Sequence, residues 1–197
     1  GTEEFPSTQI INEGKSNYAL VSNSRPYQLE SQWKGITASD YAIVSISEGT
    51  TKPILSNITG RLRTSPNGKY VFGYNSEGKT WISYSISENK LIELTKNEIF
   101  YDELNDAPRN PSAYGIAGWI NNDEAILIYD RFDIWKVNPK SGVKSRLTKG
   151  RENNTVYRYI KLDKEERFID NTEHLLLSTF NEITKEAIQE AVSHPRD

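Results

Sequence analysis

The chain has 197 residues, 36% of them hydrophobic and 26% charged, with a net charge of −3 and a pI near 5.6. Its lysines and arginines are scattered, so no basic patch marks a nucleic-acid partner. There is no cysteine and the histidines are His174 and His194, which excludes disulfides, thiolate chemistry and zinc–sulfur sites and argues against a multi-histidine metal centre; no cofactor is expected.

No apolar run is long enough to span a bilayer, and no signal-peptide pattern is present. The chain begins at Gly1 and contains no Met, so we read it as a mature chain or an excised piece of something longer. Aromatic residues make up 11%, and with many Ile, Val and Thr they favour β structure.

In chain order, residues 1–39 read as an irregular lead-in with the first strands, and Trp33 there carries no signal. "DYAIVSISEGTTKPILSN" (Asp40–Asn57) reads as strand, turn, strand. "TSPNGKYVFGYNSEGKTWISYSISENKLIELT" (Thr64–Thr95) reads as strand, Asn-Gly turn, strand, loop, strand, turn and short strand. Asn97–Gly115 is a long loop with two prolines and four acids: Glu98, Asp102, Glu103 and Asp106. "WINNDEAILIYDRFDIWKVNPKSGVKSRLT" (Trp119–Thr148) repeats the earlier pattern. Leu162–Ile169 ("LDKEERFI") resembles "TSPNGKYVF", and His174–Ala187 looks like the strand and turn that follow. Ala187–Asp197 begins as a short helix and ends as a tail.

The copies align by offset. Thr95 falls on Thr148 at 53 residues (148 − 95), Tyr74 on Tyr129 at 55 (129 − 74), and Leu55 on Leu94 at 39 (94 − 55). The differences fall in loops. A period of roughly 40–50 residues with four short strands per unit marks a β-propeller, whose units must stack to bury their faces. The alternative is an antiparallel sandwich whose hairpins merely look alike. We expect an all-β fold: a partial β-propeller of about three to four consecutive four-stranded antiparallel blades over residues 40–186. Closed propellers use roughly 4–8 blades, so this one belongs to a larger propeller or closes by association. An open blade edge would favour self-association.

"SPNGKYVFGY" followed by "TWISYSI" and "KLIELT" resembles the TolB-type propeller repeat, in which Ser-Pro-Asp-Gly-Lys precedes an apolar strand and Leu-Thr closes the blade. "AGWINNDEAILIYDRFDIWKVNP" with "SRLTKG", preceded by "FYDELNDAPRNPSAYGIAGW" (Phe100–Trp119), resembles the N-terminal propeller of prolyl oligopeptidase-like S9 peptidases (the dipeptidyl and acylaminoacyl peptidases) of Bacteroides-type bacteria. The resemblance runs from about Asp40 to Ala187. Those enzymes carry a C-terminal α/β-hydrolase domain with a Gly-x-Ser-x-Gly nucleophile elbow. No such motif occurs here, so no catalytic residue carries over and this chain alone is expected not to be an enzyme. The resemblance implies a non-catalytic propeller that gates peptide access to a hydrolase domain outside this chain, in a periplasmic or secreted protein. The alternative is a TolB-like module that binds a protein partner or an envelope glycan. A glycosidase would need an acid pair about 5–10 Å apart across a cleft, and nothing in the sequence argues for one.

The candidate binding residues are Tyr101, Asp102, Glu103, Asp106, Arg131 and Asp133. In a four-stranded antiparallel blade the connection into the next blade and the connection between second and third strands emerge on one rim. The Asn97–Gly115 loop and "DRFD" (Asp130–Asp133) are two such connections. On the functional reading they recognise a cationic group such as a peptide amino terminus, or bind a cation. On the structural reading, which we prefer, Asp102 or Glu103 caps a turn and pairs with Arg109 or Arg131. Trp81, Trp119 and Trp135 are expected in inter-blade packing, with carbohydrate stacking as the alternative. Glu165 and Glu166 fit a solvated hairpin turn better than an acid–base pair, and His174 fits a structural role.

Overall fold

The computed structural model describes residues 3–170 and 174–193. Among the described residues fifteen strands form four antiparallel sheets in chain order. The first blade holds β1 (Ser7–Ile10), β2 (Tyr18–Asn23), β3 (Ala38–Ser45) and β4 (Thr51–Thr59). The second holds β5 (Arg63–Thr64), β6 (Tyr70–Asn75), β7 (Thr80–Ser85) and β8 (Lys90–Glu93). The third holds β9 (Ile116–Trp119), β10 (Ile126–Tyr129), β11 (Ile134–Val137) and β12 (Lys144–Arg146). The fourth holds β13 (Thr155–Tyr159), β14 (His174–Asn181) and β15 (Ala187–Ser193). A helix, α1 (Gln28–Lys34), interrupts the connection from β2 to β3 and leaves Trp33 90% exposed.

Three segments differ from the sequence reading. The strands expected within residues 1–39 are β1 and β2, and they belong to the first blade, which therefore starts at Ser7 and not at Asp40, because β1 pairs with β2 from Ser7↔Ser22 to Ile10↔Ala19. Leu162–Ile169 does not begin a strand of the fourth blade. It belongs to the connection between β13 and β14, and Ile169 makes a parallel bridge to Ile120 of the third blade instead. Ala187–Ser193 is a strand where a short helix was expected. The helix preference of Ala-Ile-Gln-Glu-Ala, a fraction of a kcal/mol per residue, yields to a full antiparallel ladder with β14 from Phe180↔Ala187 to His174↔Ser193. Residues 194–197 of the expected tail, His194 among them, lie outside the described residues.

The local chemistry of the repeat explains its persistence. In "SPNG", Gly68 takes φ +75°, which suits glycine, and its N–H donates to Ser65 O at 2.9 Å while Ser65 N–H donates to Tyr70 O at 2.9 Å. The closing Leu-Thr has a similar role in both full copies. Thr95 Oγ1 accepts the N–H of Trp81 at 2.9 Å, and Thr148 Oγ1 accepts that of Ile134 at 3.1 Å. Each threonine ties the end of its blade to the head of the third strand, where a buried N–H would otherwise be unpaired.

Stacking follows from strand alternation. On β7, Ile82 and Tyr84 face the first blade and pack with Leu20, Tyr41 and Ile43. Trp81 faces the other way and packs with Trp119, Ile126 and Ile128 of the third blade. On β10, Ile126 and Ile128 face the second blade, while Leu127 and Tyr129 face Leu175 and Leu177 of the fourth. A strand buried on both faces belongs to stacked blades, whereas each sheet of a two-sheet sandwich keeps one face in solvent. Each fully buried Ile or Leu contributes about 2–3 kcal/mol. The three expected tryptophans lie at these joints: Phe72 and Trp119 meet edge to face at 4.9 Å, and Trp135 meets Phe100 at 5.6 Å.

Polar ties join the corners between first and second strands. Buried Asp123 of the third blade accepts Ser65 Oγ at 2.6 Å, Asn67 N–H at 3.2 Å and Lys69 N–H at 3.3 Å from the second. Ile169 N–H donates to Trp119 O at 2.7 Å. Arg167 reaches from the fourth blade to Asn12 Oδ1 at 2.8 Å and to Pro66 O.

Candidate functional site

The connections that lead into each blade, and those between second and third strands, share one rim, as the antiparallel order requires. The Asn97–Gly115 loop is fastened there at several points. Phe100 is buried, Tyr101 bridges Ala113, Asp102 N–H donates to Ser112 O at 2.7 Å, and Tyr74 OH donates to Pro111 O at 3.1 Å. Lys79 Nζ lies 5.4 Å from the centre of the Tyr101 ring.

Asp102 Oδ1 accepts the N–H of Leu104 at 3.1 Å and the hydroxyl of Tyr114 at 3.4 Å, which makes it a turn cap. Glu103 is shared by two guanidiniums: Arg131 at 3.3 Å and Arg151 at 3.3 Å. Arg131 also holds Glu182 at 2.7 Å. Phe132 lies between the same two arginines, 4.8 Å from Arg131 and 5.1 Å from Arg151, in cation–π geometry. Asp130 and Asp133 are buried beneath them. Asp130 accepts the N–H groups of Phe132 at 2.8 Å and Asp133 at 2.6 Å, and the indole N–H of Trp135 at 3.1 Å. Asp133 accepts Thr148 Oγ1 at 2.7 Å, Gly150 N–H at 2.5 Å and Arg151 N–H at 3.2 Å.

The rim therefore brings Asp102, Glu103, Arg131 and Asp133 together, with Tyr101 beside them. Asp106 is exposed and joins no ion pair among the described residues. Arg109, one of the two partners expected for the loop acids, does not pair with them; Arg131 and Arg151 do. Sequence reasoning missed Arg151 and Glu182. The same connection rule would have found both, since one lies on the way into the fourth blade and the other between β14 and β15. It also missed Arg158, which donates to the carbonyls of Tyr157 at 2.7 Å, Arg131 at 3.0 Å and Asp130 at 3.3 Å. Burial lowers the Arg158 pKa from its usual value, whereas the Glu182 hydrogen bond, with that of Glu103, raises that of Arg131. Chemically this is a brace holding the loop, the third blade and the fourth blade. Its carboxylates already face guanidiniums, hydroxyls and backbone N–H groups. Among the described residues no cluster of three or more His, Asp or Glu could hold a metal ion. Glu165 is exposed in a turn, and Glu166 accepts the hydroxyl of Tyr159 at 3.3 Å. His174 opens β14 at the surface.

Tyr74, which fastens the loop, has its phenol pushed up to about 12, chiefly by burial and also by Tyr101. In the unfolded chain a tyrosine ionises near 10. Above that pH the unfolded state holds fewer protons than the folded one, so stability falls as pH rises from about 10 through about 12. Absorbance titration of the folded chain at 295 nm should show a late phenol that Tyr74→Phe removes. Its persistence in that variant would assign it elsewhere.

No protein-family model and no curated protein sequence matches this chain. Solved structures do match in fold. Dipeptidyl peptidase 4 of Porphyromonas gingivalis aligns with a TM-score of 0.52 and 10% identity, over 98% of this chain and 31% of that one. Hydrazine synthase of Kuenenia stuttgartiensis aligns at 0.43 and 10%, over 98% and 52%, and a putative TolB of Agrobacterium tumefaciens at 0.43 and 13%, over 93% and 65%. The chain thus spans less than two thirds of each of these proteins. No helix among the described residues is long and apolar enough to cross a membrane. At these identities the likeness concerns fold, and the chain is a run of β-propeller blades like the matching part of that dipeptidyl peptidase.

Proposed function

We propose that this chain is the non-catalytic propeller portion of an S9 prolyl oligopeptidase or dipeptidyl peptidase-like serine peptidase, gating peptide access to a hydrolase domain outside the chain. The observation that carries the reading is the alignment of nearly the whole chain with under a third of a dipeptidyl peptidase. The absence of any Gly-x-Ser-x-Gly from this sequence agrees with it. On this reading the protein works in the periplasm or outside the cell. The chain alone is expected not to hydrolyse aminoacyl-nitroanilides. Turnover that survives repurification would overturn the non-catalytic assignment. A native reading frame that continues into a domain bearing Gly-x-Ser-x-Gly would support the peptidase reading; one that ends close to Asp197 would instead favour a TolB-like binding module.

The fourth blade has a further consequence for partners. Among the described residues β15 pairs with β14 alone, whereas each other blade has an outer fourth strand. An unpaired ladder edge is a template for another chain. Light scattering across a concentration series should therefore show association, and a strictly monomeric profile at high concentration would refute it.

A further inference from the structure

A cavity of about 500 Å3 opens between the second blade and the end of the Asn97–Gly115 loop, on the rim described above. Its chemistry comes from Arg61, Arg63 and Asn110, and its apolar wall from Phe72, Tyr74 and Trp81. None of its lining residues is acidic, although the chain carries a net charge of −3. Every other arginine on this rim except Arg109 faces a carboxylate or a carbonyl. Arg61 and Arg63 make no ion pair or side-chain hydrogen bond among the described residues, and both are exposed.

The backbone that presents them is fixed. Tyr41 OH donates to Gly60 O at 3.0 Å and accepts the N–H of Leu62 at 3.1 Å. Leu62 is buried, so Arg61 and Arg63 emerge on the opposite side. Gly60 and Gly73 allow this segment to lie directly against β6: an added Cβ at Gly60 would meet Tyr74 O at 2.1 Å, and one at Gly73 would meet Arg61 O at 2.7 Å. Two uncompensated guanidiniums thus project from a fixed backbone beside aromatic walls, so binding has to order their side chains but not the strand that carries them.

We propose that this cavity binds an organic carboxylate: Arg61 and Arg63 hold the carboxylate, and Phe72, Tyr74 and Trp81 pack its apolar body. The assignment rests on the cavity's own chemistry and is independent of the peptidase reading. A guanidinium fork matches a planar carboxylate bidentately, and the absence of lining acids leaves the attraction uncancelled. Because both arginines face solvent, binding should be weak, with Kd on the order of 1 mM.

The test titrates the full chain with N-acetyl-phenylalanine, N-acetyl-phenylalaninamide and inorganic phosphate, followed by amide chemical shifts. The acid should perturb Arg61–Tyr74 and Asn110–Ile116, and the amide should bind at least tenfold more weakly. Arg61→Gln/Arg63→Gln should abolish the difference between acid and amide while leaving the melting temperature unchanged. Equal binding of acid and amide by the unsubstituted chain would overturn the proposal whatever the fate of the variant. So would phosphate binding at these residues in the absence of any response to the acid, because the ligand group would then not be a carboxylate.

Discussion

Asp133→Ala is expected to lower stability by about 3–4 kcal/mol, the range for removing one partner from a buried, charge-assisted network. The carboxylate is fully buried and accepts three hydrogen bonds, from Thr148 Oγ1, Gly150 N–H and Arg151 N–H. Arg146 adds an ion pair at 3.6 Å. Alanine would strand those donors where water has poor access. For a domain stable by roughly 5–15 kcal/mol this is a large fraction, visible as a lower urea midpoint at unchanged slope. Two comparisons identify the cause. Glu103→Gln alters a more solvent-open ion pair and should cost no more than about 1 kcal/mol. Asp133→Thr copies the second blade, where Thr80 Oγ1 meets Thr95 Oγ1 at 3.3 Å, and should cost less than the alanine change. If alanine at 133 cost no more than glutamine at 103, Asp133 would not be the pin of the third blade.

Gly60→Ala should be comparably severe, at about 3 kcal/mol or more. Its φ of +140° lies where side chains are rarely tolerated, and the new Cβ would meet Tyr74 O at 2.1 Å. The obstacle is backbone, so no rotamer change relieves it. Either β5 lifts from β6 or the chain unfolds. Gly49→Ala separates the two costs. That position has φ +66° with nothing within 4 Å of the added Cβ, so only the conformational penalty of about 1 kcal/mol remains. For a chain of this size 1 kcal/mol corresponds to roughly 2–4 °C in Tm. Equal melting shifts for the two variants would show that β5 approaches β6 less closely than described.

Much of the fold was legible because each full copy carries its own punctuation. Asn67-Gly68, the alternation of Tyr70–Asn75 and Thr80–Ser85, and the closing Leu94-Thr95 all state the same blade, and Trp119–Thr148 states it again. The first blade was harder to read. Its β1 is short and mostly polar, and its corner, Asn12–Gly14, shares the turn geometry of Asn121–Asp123 in the third blade but few of its residues. β15 was unreadable for another reason: Gln189 and Glu190 are good helix formers, and their extended state is set by β14 alone. At the rim, the pairing of Glu103 with Arg131 followed from topology. The role of Arg151 went unread, although its place on the way into the fourth blade puts it on the same rim. The cavity at Arg61 and Arg63 had no sequence signature at all. Its walls come from three strands of the second blade and from the far end of the Asn97–Gly115 loop, which only the folded chain brings together.

The reach of Arg167 adds a constraint in time rather than in space. It contacts Asn12 across a separation of 155 residues, and also Pro66 O. During synthesis at roughly 5–20 residues per second, the first blade's corner must wait on the order of 8–30 s for the side chain that finally secures it. Until then Ile11 is held by Leu20 and Tyr41 of its own blade and by the second blade. The opening blade is thus the earliest part of this chain to be made and among the last to be locked.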